Sequence, residues 1–266
     1  MKSPKVSVVM SEYNTNEVFF HEAVASVLNQ TYKDFEFIIV DDSGINRVTD
    51  MMGDYHDKRI RIVKNDQNVG FVKSLNNGIS QAVGEFIMRM DTDDVISADR
   101  FEKLMNFIDT HPEYSAVSSR AIEFTGSEKL GVIGSLGEKN KKDVMRGDTP
   151  VHAAAVIRKK DIEEIGFYKD FLRAEDLVLW CELLLAGKRL YMLNDVLYDY
   201  RVNPDDYKKR TIAHRKGEIK ARLVYYPKLG ASPLDYVRVL KSIVAGLAPI
   251  WMVRLYRNKF VVERDS

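Results

Sequence analysis

Three acidic groups in this sequence stand where carboxylates can do chemistry. Asp91-Thr92-Asp93-Asp94 directly follows the apolar run Phe86-Ile87-Met88-Arg89-Met90. Carboxylates crowded on one loop repel each other unless a cation lies between them. A hard divalent ion, Mn2+ or Mg2+, prefers oxygen ligands and bridges carboxylate to diphosphate. Such a site suits a reaction whose leaving group is a nucleoside diphosphate. An acidic turn after a strand is also an ordinary solvated loop, so its meaning rests on its neighbours. Asp41-Asp42 closes the run Ile38-Ile39-Val40. One of these carboxylates can accept the N3–H of a pyrimidine, with Tyr13 stacked on the base; equally, Asp42 can cap the next helix. Glu175-Asp176 opens a helical stretch, where the helix dipole favours an acid and capping is the plain reading. The chemical reading makes Asp176 a general base for an acceptor hydroxyl. At a helix N-terminus its pKa is expected to stay low, leaving the carboxylate available at neutral pH.

Other reactive side chains carry less. His152 fits a ligand, an acceptor contact or a structural role. Cys181 and Trp180 lie on an apolar helix face with no partner motif and read as core, as do the methionines.

Positioning these groups requires strands that end together. Val6–Met10, Phe35–Val40, Ile60–Val63 and Phe86–Met90 are short β-branched or aromatic runs. They alternate with helical patterns over Glu17–Asn29, Ile45–Met52 and Phe71–Ala82. Strand–helix alternation indicates βαβ units and a mostly parallel sheet flanked by helices, an α/β fold. Right-handed crossovers put the loops after the strands on one edge, where ligands of such sheets bind. Further along, Ala98–Thr110 reads as a helix, Tyr114–Ser118 and Ala153–Arg158 as strands, and Asp161–Ile165 as a short helix. Asp176–Ala186 is a helix by its Leu179, Trp180, Leu183 and Leu184 spacing. Arg189–Leu193 and Val196–Val202 read as two strands. Residues 125–150, rich in Gly, Lys and Asp, look like a mobile loop region near the site.

Composition narrows the class. The 266 residues are 45% hydrophobic, enough for one sizeable core. A single cysteine rules out an internal disulfide and fits a reducing compartment. No signal-peptide h-region follows the N-terminus. The sequence has no G-x-G-x-x-G after the first strand, no P-loop, no G-x-S-x-G elbow and no zinc-spaced Cys/His set. Sugar-1-phosphate nucleotidyltransferases begin with a Gly-rich loop; here that loop is Ser11-Glu12-Tyr13-Asn14.

These residues together resemble family 2 glycosyltransferases, inverting enzymes of the GT-A fold, over about residues 4–203. The resemblance rests on Val6 to Asn14, Ser26 to Tyr32, Phe37 to Ser43, Arg59-Ile60, Asn68-Val69-Gly70 and Asn77-Gly78-Ile79. It continues through Ala82 to Ile87, Asp91 to Asp94, Ile165 to Tyr168, Ala174 to Trp180 and Leu197 to Arg201. It implies that Ser11, Tyr13 and Asp42 bind the nucleoside, that Asp93 meets ribose or phosphate, and that Asp94 binds the metal with Asp93 beside it. Asp176, with Glu175 next to it, is the implied base. The implied reaction is one inverting displacement on a UDP- or dTDP-sugar, with Mn2+ or Mg2+ as cofactor. The sequence departs from the family pattern at Ser11, usually Pro, and at Asn203, often His. It also departs after Asn68-Val69-Gly70, where the family usually carries Arg to meet the diphosphate or base and Lys73 is the substitute here.

Charge is divided along the chain. Tyr207 to Ser266 holds 14 Lys and Arg against 4 Asp and Glu, whereas residues 1–206 hold 26 against 35. The expected organisation is a catalytic domain over 1–205, with a nucleotide half 1–97 and an acceptor half 98–205, followed by a basic helical extension over 206–266. Ser242–Val253 is uncharged but too short to span a bilayer, which takes about 20 apolar residues. Its flanks, Arg238, Lys241, Arg254, Arg257 and Lys259 with Trp251 and Tyr256, suit an interfacial helix. Two readings stay open for it: a membrane surface, or packing on the catalytic domain or a second subunit in a homodimer. The first fits a saccharide or lipid-linked saccharide acceptor, a cytoplasmic enzyme on the inner face of the plasma membrane, and surface-polysaccharide or glycolipid assembly. No nucleic-acid partner is expected. The reading from a different class is a catalytically silent nucleotide-binding partner in a polysaccharide assembly complex.

Overall fold

The computed structural model describes residues 3–53, 55–203, 212–237, 239, 240, 243 and 244. Its elements run β1 Val6–Glu12, α1 Glu17–Leu28, β2 Phe35–Asp41, α2 Arg47–Met51, β3 Ile60–Lys64, α3 Phe71–Ser80 and β4 Phe86–Met90. They continue with β5 Val95–Ile96, α4 Arg100–Thr110, β6 Tyr114–Thr125, β7 Glu128–Ile133, β8 Gly137–Lys139 and α5 Lys141–Arg146. Then come β9 Val156–Arg158, α6 Lys159–Glu164, α7 Glu175–Leu185, β10 Arg189–Arg201 and α8 Ile212–Leu229.

One twisted sheet takes the order β3-β2-β1-β4-β9-β6-β10-β5, with β7 added to β6 and β8 to β10. The first four strands are parallel. β9 runs antiparallel to both β4 and β6, β10 is parallel to β6, and β5 is antiparallel to β10. Strands buried on both faces need apolar residues at nearly every position, and β1, β2 and β4 have them. Val8, Phe37 and Met88 face α1 and α4 in one core layer. Val9, Ile38 and Ile87 face α3, α6 and α7 in the other. α3 lies close on the sheet because residue 78 is glycine: a Cβ there would stand 2.6 Å from Val9 Cγ1 and 2.8 Å from Val40 Cγ2.

Two local readings are corrected. Residues 125–150 are not a loop region: β6–β7 is a hairpin, β8 joins the sheet, and α5 carries a capping box from Asn140 and Asp143. Gly and Asp there serve turns and caps rather than mobility. The two strands expected over 189–202 are one strand, β10, whose pairing with β6 shifts register between Met192 and Val196. A bulge in a continuous strand gives the same polar interruption as a turn.

The beginning of the basic extension packs on the catalytic body. Ala221, Tyr225, Tyr226 and Leu229 of α8 join the core layer formed by α5, α6 and α7. No helix among the described residues is long and apolar enough to cross a membrane. The residues expected to make an interfacial helix, Arg238, Lys241, Trp251, Arg254, Tyr256, Arg257 and Lys259, lie outside the described residues.

Candidate active site

The carboxyl ends of β1, β2 and β4 deliver the polar clusters to one edge, as parallel strands in register must. At the end of β1, the Ser11 hydroxyl donates to Ser74 Oγ on α3 at 2.7 Å. Tyr13 is 60% exposed, its ring free for a flat ligand. Glu12 is fully buried and accepts from the Thr15 amide at 2.9 Å and Arg47 Nε at 3.3 Å. Thr15 Oγ1 lies 2.5 Å from Thr92 Oγ1, tying the first loop to the acidic loop.

The two acids at the end of β2 divide their work differently from expectation. Asp41, not Asp42, serves the start of α2: its carboxylate accepts from the Ser43 amide at 3.0 Å and the Val48 amide at 2.9 Å. Asp42 is buried and accepts four hydrogen bonds, from Asn65 Nδ2 (2.7 Å), Asn68 Nδ2 (3.1 Å) and the amides of Val69 (3.0 Å) and Gly70 (3.1 Å). Those four donors use the four acceptor directions of a carboxylate. Asp42 therefore shapes the 65–70 loop rather than offering a free oxygen to a base. Asp42→Ala is expected to leave buried donors unpaired and to lower unfolding stability by at least about 2 kcal/mol, measured by urea titration. Lys73 on α3 is exposed.

In the acidic loop, Asp91, Thr92 and Asp93 are partly exposed and Asp94 is buried. Asp94, expected as a metal ligand, turns inward. It accepts from Tyr198 Oη at 2.8 Å and from the Arg201 amide at 2.7 Å, both on β10. Burial, and then the like charges of Asp91 and Asp93, push its carboxyl well above the usual range. Its inward turn follows from pairing: a carboxylate this deep must find donors, and the end of β10 supplies them. Asp93 is partly exposed, as are Asp91 and Thr92. Its own backbone carbonyl is held by Arg201 Nε at 2.6 Å. Among the described residues, no three His, Cys, Asp or Glu side chains form a metal-binding group.

Arg89, one residue from the end of β4, organises the floor of the site. Its Nε and Nη2 each lie 2.6 Å from Asp91, a bidentate pair. Its Nη1 donates to His152 Nδ1 at 2.5 Å, and its guanidinium lies 4.8 Å from the centre of the Phe71 ring. Because arginine only donates, His152 Nδ1 is the acceptor and Nε2 carries the proton, 2.8 Å from Tyr168 Oη. Burial and then the charge of Arg89 hold His152 well below its ordinary pKa, so it is neutral. His152 is thus an internal link and not a ligand. Tyr168 is joined in turn to α3, its amide donating to Asn76 Oδ1 and its carbonyl accepting from Asn76 Nδ2.

Glu175 and Asp176 form the first turn of α7, behind Ala174, which has no capping side chain. Asp176 Oδ1 accepts from the Leu177 amide at 2.7 Å. The expected low pKa is corrected: burial raises the Asp176 carboxyl and outweighs that hydrogen bond and the charge of Arg89, with Glu218 of α8 adding to the rise. Glu175 is raised as well, by burial and by Asp176, and Arg89 opposes this too. A helix N-terminus contributes partial charges, whereas loss of water at a buried carboxyl is the larger quantity. The charge of Arg89 acts on Asp91, Glu175 and Asp176 alike.

Sequence reading did not single out Arg89, Tyr168, Tyr198 or Arg201 as site residues. The only available signal was their place inside the Phe86–Met90, Ile165–Tyr168 and Leu197–Arg201 runs.

The chain is similar in sequence and in fold to known glycosyltransferases. The model of the family described as "Glycosyl transferase family 2" matches residues 7–166. An Escherichia coli protein, UDP-Gal:alpha-D-GlcNAc-diphosphoundecaprenol beta-1,3-galactosyltransferase, is 29% identical over 98% of this chain and 98% of its own length. The amylovoran biosynthesis glycosyltransferase AmsE of Erwinia amylovora is 27% identical over 97% and 98%. The crystal structure of S. aureus TarS 1-349 in complex with UDP-GlcNAc superposes with a TM-score of 0.69 at 19% identity, covering 91% of this chain and 71% of that one. At that identity the likeness is one of fold, the GT-A fold expected from the sequence.

Proposed function

The chain belongs to glycosyl transferase family 2 and is a glycosyltransferase, and on that premise we propose that it is an inverting, metal-dependent enzyme. It moves a sugar from a UDP- or dTDP-sugar to the hydroxyl of a saccharide or lipid-linked saccharide in surface-polysaccharide or glycolipid synthesis. The observation that supports this best is the common reach of Arg89: one guanidinium is paired with Asp91 and felt by Glu175 and Asp176. The donor loop and the candidate base thus lie within the electrostatic reach of one cation.

In this reading the base of the nucleotide stacks on Tyr13, over the loop fixed by Asp42, with Ser11 and Lys73 beside it. Asp93 would hold a Mn2+ or Mg2+ ion, with Asp94 behind it as the buried anchor of the loop, and an ion there would supply positive charge to the departing diphosphate. Asp176 removes the acceptor hydroxyl proton while that oxygen forms its bond to the anomeric carbon. The bond from that carbon to the diphosphate breaks, and the electron pair leaves with the nucleoside diphosphate. Only an ionised Asp176 can take the proton, so activity rises with pH through its raised pKa. The acid limb of the kcat/KM profile is expected above the ordinary aspartate value of about 3.9.

The test is a panel of UDP- and dTDP-sugars with Mn2+, read by release of the nucleoside diphosphate. Slow donor hydrolysis by the protein alone is expected for the matching sugar. Release of none, together with UDP binding, would leave the silent nucleotide-binding partner as the better reading.

The name of the E. coli relative gives it an acceptor linked to diphosphoundecaprenol. The net positive balance of residues 207–266 and the exposed Leu234, Leu240 and Val244 support a peripheral contact with the inner face of the plasma membrane. Sedimentation with anionic vesicles is expected at low salt and is expected to weaken steeply by 0.5 M salt, because basic residues act within about one Debye length. Equal binding to neutral vesicles would refute the electrostatic part.

A further inference from the structure

The segment that launches α7 is backbone-strained. Leu172 and Arg173 are consecutive non-glycine residues in the left-handed region, with φ of 48° and 74°. A Cβ disfavours this conformation, and strain of this kind persists only where the surroundings enforce it. Ala174 follows, and then the acids Glu175 and Asp176.

What enforces the segment is α8. Gly217 of that helix packs on the carbonyl oxygens of Phe171 and Leu172 so closely that any Cβ would overlap both. Tyr225, two turns further along α8, meets the Phe171 ring edge-on at 5.8 Å, and its hydroxyl donates to Glu182 of α7 at 2.6 Å. Lys220 Nζ lies 5.5 Å from the centre of the same Phe171 ring. The Leu172 amide donates to Asp170 Oδ1 at 3.2 Å. Tyr226 anchors α8 from beneath, its hydroxyl donating to the Met145 carbonyl of α5 at 2.6 Å. The segment is thus held between α7 and α8, and the contact that decides its position is backbone against a residue with no side chain.

We propose that α8 is part of the catalytic apparatus: through Gly217 and the Phe171 contact it positions the left-handed segment that aims Glu175 and Asp176 at the acceptor. Gly217 and Phe171 are positioning residues and touch no substrate. The inference rests on Asp176 being the base, and it extends that reading to a part of the chain outside residues 7–166, the span matched by the family model.

Gly217→Ala separates positioning from binding. A side chain at 217 must push the Phe171–Leu172 backbone away, and a displacement of about 1 Å at a catalytic group costs about 100-fold in rate. Donor release is therefore expected to fall about 100-fold in kcat, with the Kd for UDP and Mn2+ changed by less than about twofold. The donor site lies on β1, β2 and the acidic loop, whereas α8 packs on α5 and α7. Phe171→Ala, which removes the ring held by Tyr225 and Lys220 without crowding any backbone, is expected to act in the same direction and covers the case in which Gly217→Ala does not fold. Unchanged kcat in either folded variant overturns the proposal, as does a parallel loss of kcat and UDP affinity. Asp176→Asn is measured alongside. If that variant keeps its turnover, the base assignment fails; if it is inactive while Gly217→Ala and Phe171→Ala are fully active, only the role of α8 fails.

Discussion

Asp176→Asn is expected to lower turnover by a factor of about 10²–10⁴ while leaving UDP affinity nearly unchanged and thermal stability no lower. The rate prediction follows from chemistry: an amide cannot take a proton, and the hydroxyl of a sugar is a poor nucleophile without a base. The stability prediction follows from linkage. Burial raises the Asp176 carboxyl above its unfolded value. A group raised in this way contributes stability below the unfolded pKa and loses it as pH rises through the folded pKa. At neutral pH the buried carboxylate is therefore a cost, which a neutral isostere removes. The amide keeps an oxygen to accept from the Leu177 amide. A melting temperature at pH 7 equal to or above that of the parent, with activity lost, is the expected pair of results. Activity retained would remove Asp176 from the mechanism. Activity lost together with a large drop in melting temperature would make the residue structural.

Asp93→Asn is expected to lose the metal-dependent part of UDP affinity, by more than the ~10–100-fold typical of an outer-shell change at a metal site. Calorimetry with UDP in the presence of Mn2+, repeated with chelator, measures it. Asp94→Asn is the contrasting variant. Asp94 is bound to Tyr198 Oη and the Arg201 amide, and an amide there can meet only one of these as acceptor. Its expected effect is on stability, through a β10 donor left without its acceptor. If Asp94→Asn abolished Mn2+-dependent binding while Asp93→Asn left it intact, the assignments of the two acids would have to be exchanged. The pair also separates cation binding from loop shape, because Thr92 and Asp91 keep their ties to Thr15 and Arg89 in both variants.

Arg89 joins these predictions. It is paired with Asp91 on one side and His152 on the other, and its charge opposes the rise in the Glu175 and Asp176 carboxyls. Its guanidinium is a fork with fixed geometry, which lysine does not reproduce. The same cation that steadies the donor loop thus favours the ionised form of the base.

The sequence by itself determined the parallel half of the sheet and the edge at which the site lies. Alternating apolar runs and helical spacings state local periodicity, and strand ends carry their polar residues with them; Tyr13, Asp42, Asp91 to Asp94 and Asp176 could be found that way. What each acid does was decided only by the tertiary structure. Asp41 and Asp42 are neighbours in sequence, but one serves α2 and the other the 65–70 loop, because successive side chains leave a strand end in opposite directions. Asp94 is taken by β10, more than one hundred residues away. The pKa of Asp176 is raised by burial that α7 achieves only once packed, and the segment leading into α7 meets α8 at Gly217, a close approach that no local pattern records. Propensity and periodicity are properties of a few adjacent residues, whereas desolvation, acceptor competition and close backbone approach are properties of segments brought together by the fold.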